Sequence, residues 1–185
     1  TLKTNQMYNT LDELYIFNID NSIKLDLIKE NIPDVNEKTN LKLMSLSNNN
    51  NLFEIPVLNL IRTYACNHKN ENANILYLHT NTVNYDKSLQ TVNNFIDYML
   101  YYLVERHMEC IELLDTTNAS TLGCNKIEKP NLHYIGNFWW TKSSYIKDLN
   151  MITAKEKALA EWWLLSNKGN HLTLHNLNKH VNNIK

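Results

Sequence analysis

Glycine is scarce in this 185-residue chain, which holds three glycines, three prolines and three cysteines. Neither glycine-rich phosphate loop, G-x-G-x-x-G or G-x-x-x-x-G-K-[ST], can be built from it. Cys66, Cys110 and Cys124 are odd in number and lack C-x-x-C spacing, so neither a disulfide framework nor a thiolate zinc site is indicated, and buried free thiols are expected. No apolar run approaches the roughly 20 residues that cross a bilayer, and no charged-then-apolar start marks a signal peptide. The expectation is a cytoplasmic protein with no membrane span. Arginine is represented only by Arg62 and Arg106, and Lys+Arg (18) nearly cancel Asp+Glu (19) for a net charge of -1. Such a balance provides no positive field to recruit a nucleic acid, and no nucleic-acid partner is expected.

What is present is the composition of one folded unit, 43% hydrophobic and 20% charged. The 31 asparagines, many inside segments of helical or strand pattern, fit the codon bias of an AT-rich genome. The run Asn48 to Asn51 reads as a polar loop tip. Strand and helix patterns alternate without an internal repeat or a linker, so residues 1–185 are read as a single α/β domain with a central, mostly parallel sheet flanked by helices. Strands are expected at Leu14–Ile19, Leu41–Leu46, Ile75–Leu78, Ser120–Asn125 and Tyr134–Trp140. Helices are expected over Glu54–Asn67, with Pro56 in the first turn, over Ser88–Asp115 as one long helix or two with a break, and over Ala154–Ser166. Met7–Glu13 looks like the tail of a helix; in an open α/β sheet such a helix follows a strand, so a first strand and helix are expected to be missing.

Four segments carry candidate chemistry. Ile75-Leu76-Tyr77-Leu78 ends at His79-Thr80-Asn81, the strand end where open α/β sheets receive ligands. His79 there can bind a phosphate, a sugar hydroxyl or a metal, or simply cap the strand. His133 to Trp140 gathers imidazole, amide and indole groups around Gly136, a position suggesting a tight backbone or close approach to a ligand. Trp139 and Trp140 face opposite ways on a strand, so one can fill the core while the other lines a cleft. Glu161, followed by Trp162 and Trp163, is either a partly desolvated general base or an ordinary helix-surface carboxylate. His171 and His175 alternate with leucine and threonine as on a strand, which at about 3.3 Å per residue sets them about 13 Å apart, too far to share a metal.

Taken together, Asn74 to Thr80, Gly123-Cys124-Asn125, His133 to Trp140 followed by Tyr145 to Leu149, and Ala160-Glu161-Trp162-Trp163 resemble a glycosyltransferase-like family of giant DNA viruses and bacteria. Its hallmarks are a YLHTKG-like strand end, an HYSGNFWW-like block followed by a YI-x-x-L helix, and an AE-x-W helix. Order and spacing are kept, and Phe53 to Leu58 extends the similarity. The resemblance implies a GT-A-like nucleotide-binding domain whose opening strand and helix help to bind the nucleotide. For a viral member the location it implies is the host cytoplasm. Departures are visible: Asn81-Thr82 replaces Lys-Gly, Phe95-Ile96 replaces a Trp-Arg pair, Ile135 replaces serine, and no D-x-D triplet occurs.

What the resemblance implies is transfer of a sugar from a nucleotide diphosphate, a UDP-sugar, to a glycan hydroxyl, inverting at the anomeric carbon with Glu161 as base. His79, Thr80 and Asn81 would hold the donor phosphates, with His79 the candidate ligand for Mn2+ or Mg2+. His133, Gly136, Asn137, Trp139 and Trp140 would contact the sugars. The alternative is a catalytically degenerate sugar- or nucleotide-binding module on the same shell.

Overall fold

The computed structural model describes residues 7–18, 40–45, 54–67, 72–79, 90–154 and 156–176. Its elements are α1 (Met7–Thr10), β1 (Glu13–Asn18), β2 (Asn40–Ser45), α2 (Ile55–Asn67), β3 (Asn74–Tyr77), α3 (Gln90–Leu100) and α4 (His107–Thr116). They continue with β4 (Thr121–Gly123), β5 (Lys126–Ile127), β6 (His133–Tyr134), β7 (Trp139–Lys142), α5 (Ser143–Ile146), α6 (Lys157–Trp163) and β8 (His171–Thr173). This is a mixed α/β domain. Among the described residues no helix is long and apolar enough to cross a membrane.

β1 and β2 pair in parallel, while β3-β7-β4-β8 form a four-stranded sheet. That sheet is mixed, in place of the mostly parallel one expected, because β7 runs antiparallel to both β3 and β4, and only β4–β8 is parallel. The cause is local. The 15 residues between β4 and β7 are taken up by the β5–β6 hairpin and a turn, so none of them forms the crossover helix that usually joins parallel neighbours, and β7 returns antiparallel.

Side-chain alternation on β7 divides the interior in two. Trp139, paired across the sheet with Tyr77 and Gly123, enters one core with Leu58, Tyr134, Ile146 and Leu164. Trp140, paired with Leu76 and Leu122, enters the other with Met99, Leu103, Leu114 and Phe138. Each indole N–H is satisfied internally, Trp139 by Asn137 Oδ1 at 2.9 Å and Trp140 by the Leu103 carbonyl at 2.8 Å. Burying these two large side chains removes several kcal/mol of apolar surface from water, at roughly 25 cal/mol per Å2.

Helix α2 lays Ile55, Val57, Leu58 and Ala65 on the Trp139 core. From its solvent side Asn59 binds Ile152 reciprocally, Nδ2–H to the carbonyl at 3.0 Å and Oδ1 to the N–H at 2.9 Å. Helix α6 starts at Lys157 and not at Ala154, the backbone of Glu156 before it being extended (φ -103°, ψ 124°). The Ser88–Asp115 pattern resolves into α3 and α4 joined by a wide turn at Tyr101–Glu105. Of the thiols, Cys110 and Cys124 are buried as expected, burial pushing each up to about 12, but Cys66 near the end of α2 is exposed.

Every non-glycine residue with positive φ among the described ones is asparagine: Asn118 (53°), Asn125 (50°) and Asn137 (52°). A short side chain that can bond its own backbone makes asparagine the next residue after glycine to enter this region. At these three positions asparagine takes the place that glycine would otherwise fill. Gly123 is indispensable for a different reason, because a Cβ there would lie 2.4 Å from the Tyr134 ring. Gly123→Ala is expected to destabilise the protein by about 1–3 kcal/mol through overpacking, read as a lowered urea midpoint; an unchanged midpoint would sink this account of the β4–Tyr134 contact.

Candidate functional site

Glu54 stands immediately before α2, and its carbonyl accepts the N–H groups of Val57 (3.0 Å) and Leu58 (3.1 Å). A carboxylate at a helix start also faces the favourable end of the helix dipole. From the sheet, Tyr77 and His79 project two residues apart and therefore to the same side, their rings stacked with centroids 5.7 Å apart. The Ile135–Asn137 turn approaches from the third direction, with Gly136 at φ 79° followed by Asn137, also left-handed. Two consecutive positive-φ residues reverse the chain sharply enough to break the strand expected over Tyr134–Trp140 into β6 and β7.

These elements meet in one hydrogen-bonded group. Glu54 Oε2 accepts Asn137 Nδ2–H at 2.6 Å and the Tyr77 hydroxyl at 3.2 Å, while Oε1 lies 3.4 Å from His79 Nδ1, an ion pair when the ring is protonated. His79 Nε2 is 2.8 Å from the Gly136 carbonyl, which can only accept, so Nε2 carries a proton. Asn137 Oδ1 accepts the Trp139 indole, and its Nδ2 lies 3.5 Å from the Ala160 carbonyl on α6. Burial foremost, then the charge and the bond of Glu54, hold the Tyr77 phenol well above the usual tyrosine range, so it serves as a donor. His79 and Glu54 keep side-chain exposures of 16% and 17%, so the group is reachable from solvent.

Of the sequence candidates, His79, Gly136 and Asn137 are brought together here. Thr80 and Asn81 lie outside the described residues. Trp139 and Trp140 are 0% and 3% exposed, so neither lines a cleft; the alternation that separates them sends both into cores because helices cover both faces of β7. His133, on β6, turns its Nδ1 to the Asn131 carbonyl at 2.7 Å, away from the group. Glu161 is half-buried on α6, one residue beyond Ala160, and no hydrogen bond or ion pair engages its carboxylate among the described residues. His79 commits Nε2 to the Gly136 carbonyl and turns Nδ1 toward Glu54 Oε1, and among the described residues no group of three or more His, Cys, Asp or Glu side chains could hold a metal.

Glu54 and Tyr77 are the members that sequence reasoning did not single out. Tyr77 was legible from the period of two, since it shares a strand face with His79. Glu54 was visible only as the first residue of the expected Glu54–Asn67 helix and as part of the weaker Phe53–Leu58 similarity. His171 and His175 do lie apart: His171 Nδ1 contacts Thr121 Oγ1 at 3.0 Å and His175 Nδ1 contacts the Tyr98 hydroxyl at 3.0 Å.

The geometry defines a mixed α/β domain with a polar group at a strand end. The chain belongs to the family described as a domain of unknown function, DUF8361, whose profile matches residues 4–183. No curated protein and no solved structure matches it.

Two outcomes check this geometry. Asn137→Gly keeps the left-handed backbone but orphans the Trp139 indole and costs about 1–3 kcal/mol, and Asn137→Ala costs about 1–2 kcal/mol more because alanine strains at positive φ. Urea unfolding that ranks alanine equal to or better than glycine would refute the turn. Burial lowers the His171 value below that of an ordinary histidine, the bond to Asn167 opposing and Lys126 adding to it. The unfolded chain therefore binds more protons, and this contribution to stability is complete above about pH 6.5 and is lost as pH falls below it. Stability of the wild type should drop more steeply than that of His171→Gln between about pH 7.5 and about pH 5.5; parallel curves would contradict the assignment.

Proposed function

We propose that the chain is a glycosyltransferase of GT-A type that moves a sugar from a UDP-sugar to a hydroxyl of a glycan. The observation that carries this reading is the Glu54–His79–Asn137 group just beyond the carboxyl end of β3, the place where open α/β sheets take their ligands. The similarity of Asn74–Thr80, His133–Trp140 and Ala160–Trp163 to the glycosyltransferase-like motifs falls on the elements that build this group.

Roles divide by engagement. Glu54 is bonded by Asn137 and Tyr77 and faced by His79, so it positions the site. Glu161 on the adjoining helix, whose carboxylate no hydrogen bond or ion pair engages among the described residues, is the candidate base. It would deprotonate the acceptor hydroxyl, whose oxygen attacks the anomeric carbon while the bond to the diphosphate breaks and UDP leaves with the electron pair. His79 holds Gly136 and keeps the turn closed. The metal expectation fits the described residues poorly, since no group of three or more His, Cys, Asp or Glu side chains among them could hold an ion, and no step is assigned to one.

UDP should raise the melting temperature, and a panel of UDP-sugars, with and without manganese, should yield free UDP with an acceptor or by slow hydrolysis. Glu161→Gln should keep the UDP shift and lose turnover by about 100-fold or more. Turnover at near wild-type rate in that variant would remove Glu161 from the mechanism. A UDP shift without product from any donor would favour the degenerate binding module, and no shift with any nucleotide would end the nucleotide-sugar reading.

A further inference from the structure

A second concave surface lies over the Trp140 core, on the opposite face of the sheet from Glu54 and His79. Here α3 does not run straight into α4. The Arg106 N–H bonds the Tyr101 carbonyl five residues back at 3.2 Å, a widened turn of the kind that concentrates at functional sites. The turn gathers aromatic rings. Tyr102 stacks on His175 at 5.2 Å and 12°, packs edge-on against Tyr98 at 5.2 Å and against Tyr101 at 5.1 Å, and lies under the Arg106 guanidinium at 5.6 Å. Arg106 is fixed there by a two-pronged bond to Glu109, Nε–H to Oε1 at 2.8 Å and Nη2–H to Oε2. Beside them opens a cavity of about 160 Å3, lined by Tyr102, Arg106, Glu109, Cys110, Leu113 and Leu174.

We propose that this cavity binds a pyranose ring of a carbohydrate, independently of any nucleotide. A pyranose has apolar C–H faces and a rim of hydroxyls that donate and accept. The cavity matches both, with Leu113, Leu174 and Cys110 beside Tyr102 for the C–H face and an arginine–carboxylate pair for the rim. Two of the five guanidinium N–H groups serve Glu109, which leaves three for hydroxyl oxygens, and the carboxylate keeps lone pairs for hydroxyl protons. Charge narrows the class further. Arg106 and Glu109 neutralise one another, the bond from Arg106 holding the Glu109 carboxyl below its ordinary value, so the rim offers hydrogen-bonding groups with little net charge to draw an anion or a cation. Size points the same way: 160 Å3 lies below the roughly 300–1,000 Å3 of pockets for drug-sized ligands, which suits one sugar ring and not a nucleotide sugar. Tyr101, 47% exposed at the same turn, can extend the platform to a second residue of a glycan.

The test is saturation-transfer NMR on the full chain with the methyl glycosides of glucose, galactose, mannose and N-acetylglucosamine, no nucleotide being present. At least one glycoside should receive saturation, and Arg106→Gln and Glu109→Gln should each weaken its binding about tenfold. Both substitutions are on the surface, and retained circular dichroism and melting temperature establish that they fold. No transfer to any of the four glycosides overturns the proposal, as does transfer that both variants leave unchanged, or that inorganic phosphate or UDP abolishes by competition. Because no donor or turnover enters the experiment, its failure leaves the proposed reaction untouched.

Discussion

The Asn137 side-chain amide joins parts of the chain that nothing in sequence order brings together. Its nitrogen donates to Glu54 before α2, its oxygen receives the Trp139 indole from β7, and the Ala160 carbonyl on α6 lies within 3.5 Å. An amide can do this only if its backbone turns left-handed, so that the side chain points back into the fold at the point where β6 ends and β7 begins. Removing either half of the amide leaves a buried indole donor or an under-bonded carboxylate, each more costly than the bond itself is favourable.

From this constraint the two cores follow. Once the Gly136–Asn137 turn sets where β7 starts, the period of two commits Trp139 to the α2–α6 side and Trp140 to the α3–α4 side. A slip of one residue would exchange the indoles and cost both of their internal hydrogen bonds. The site on one face and the aromatic cavity on the other are thus two consequences of one register. The first is built on charge-assisted bonds around a carboxylate, the second on stacked rings held by a mutually neutralised arginine and glutamate.

Legibility differed by the range of the forces involved. The strands at Glu13–Asn18, Asn40–Ser45 and Asn74–Tyr77 and the helix at Ile55–Asn67 came out within a residue or two of expectation, because their local sequence pattern is unambiguous. Antiparallel β7 and the late start of α6 did not. The direction of β7 depends on where the hairpin excursion returns, and just ahead of α6 the chain at Ile152 is bonded to Asn59, almost a hundred positions earlier. At the site His79, Gly136 and Asn137 were legible as residue types too costly or too reactive to be incidental. Glu54 was not, since an acidic residue before a helix is commonplace until its partners are in place.

The sequence alone determined the α/β class, the scarcity of glycine and the segments that hold the candidate chemistry, because composition and short-range periodicity act within a few residues. Only the tertiary structure decided that both tryptophans are buried, that Glu54 and Tyr77 complete the His79 group while Glu161 stays outside it, and that asparagine takes the left-handed turns. Those outcomes depend on which distant groups reach hydrogen-bonding distance, and a bond that works over about 3 Å cannot be read from positions separated by dozens of residues until the chain has folded.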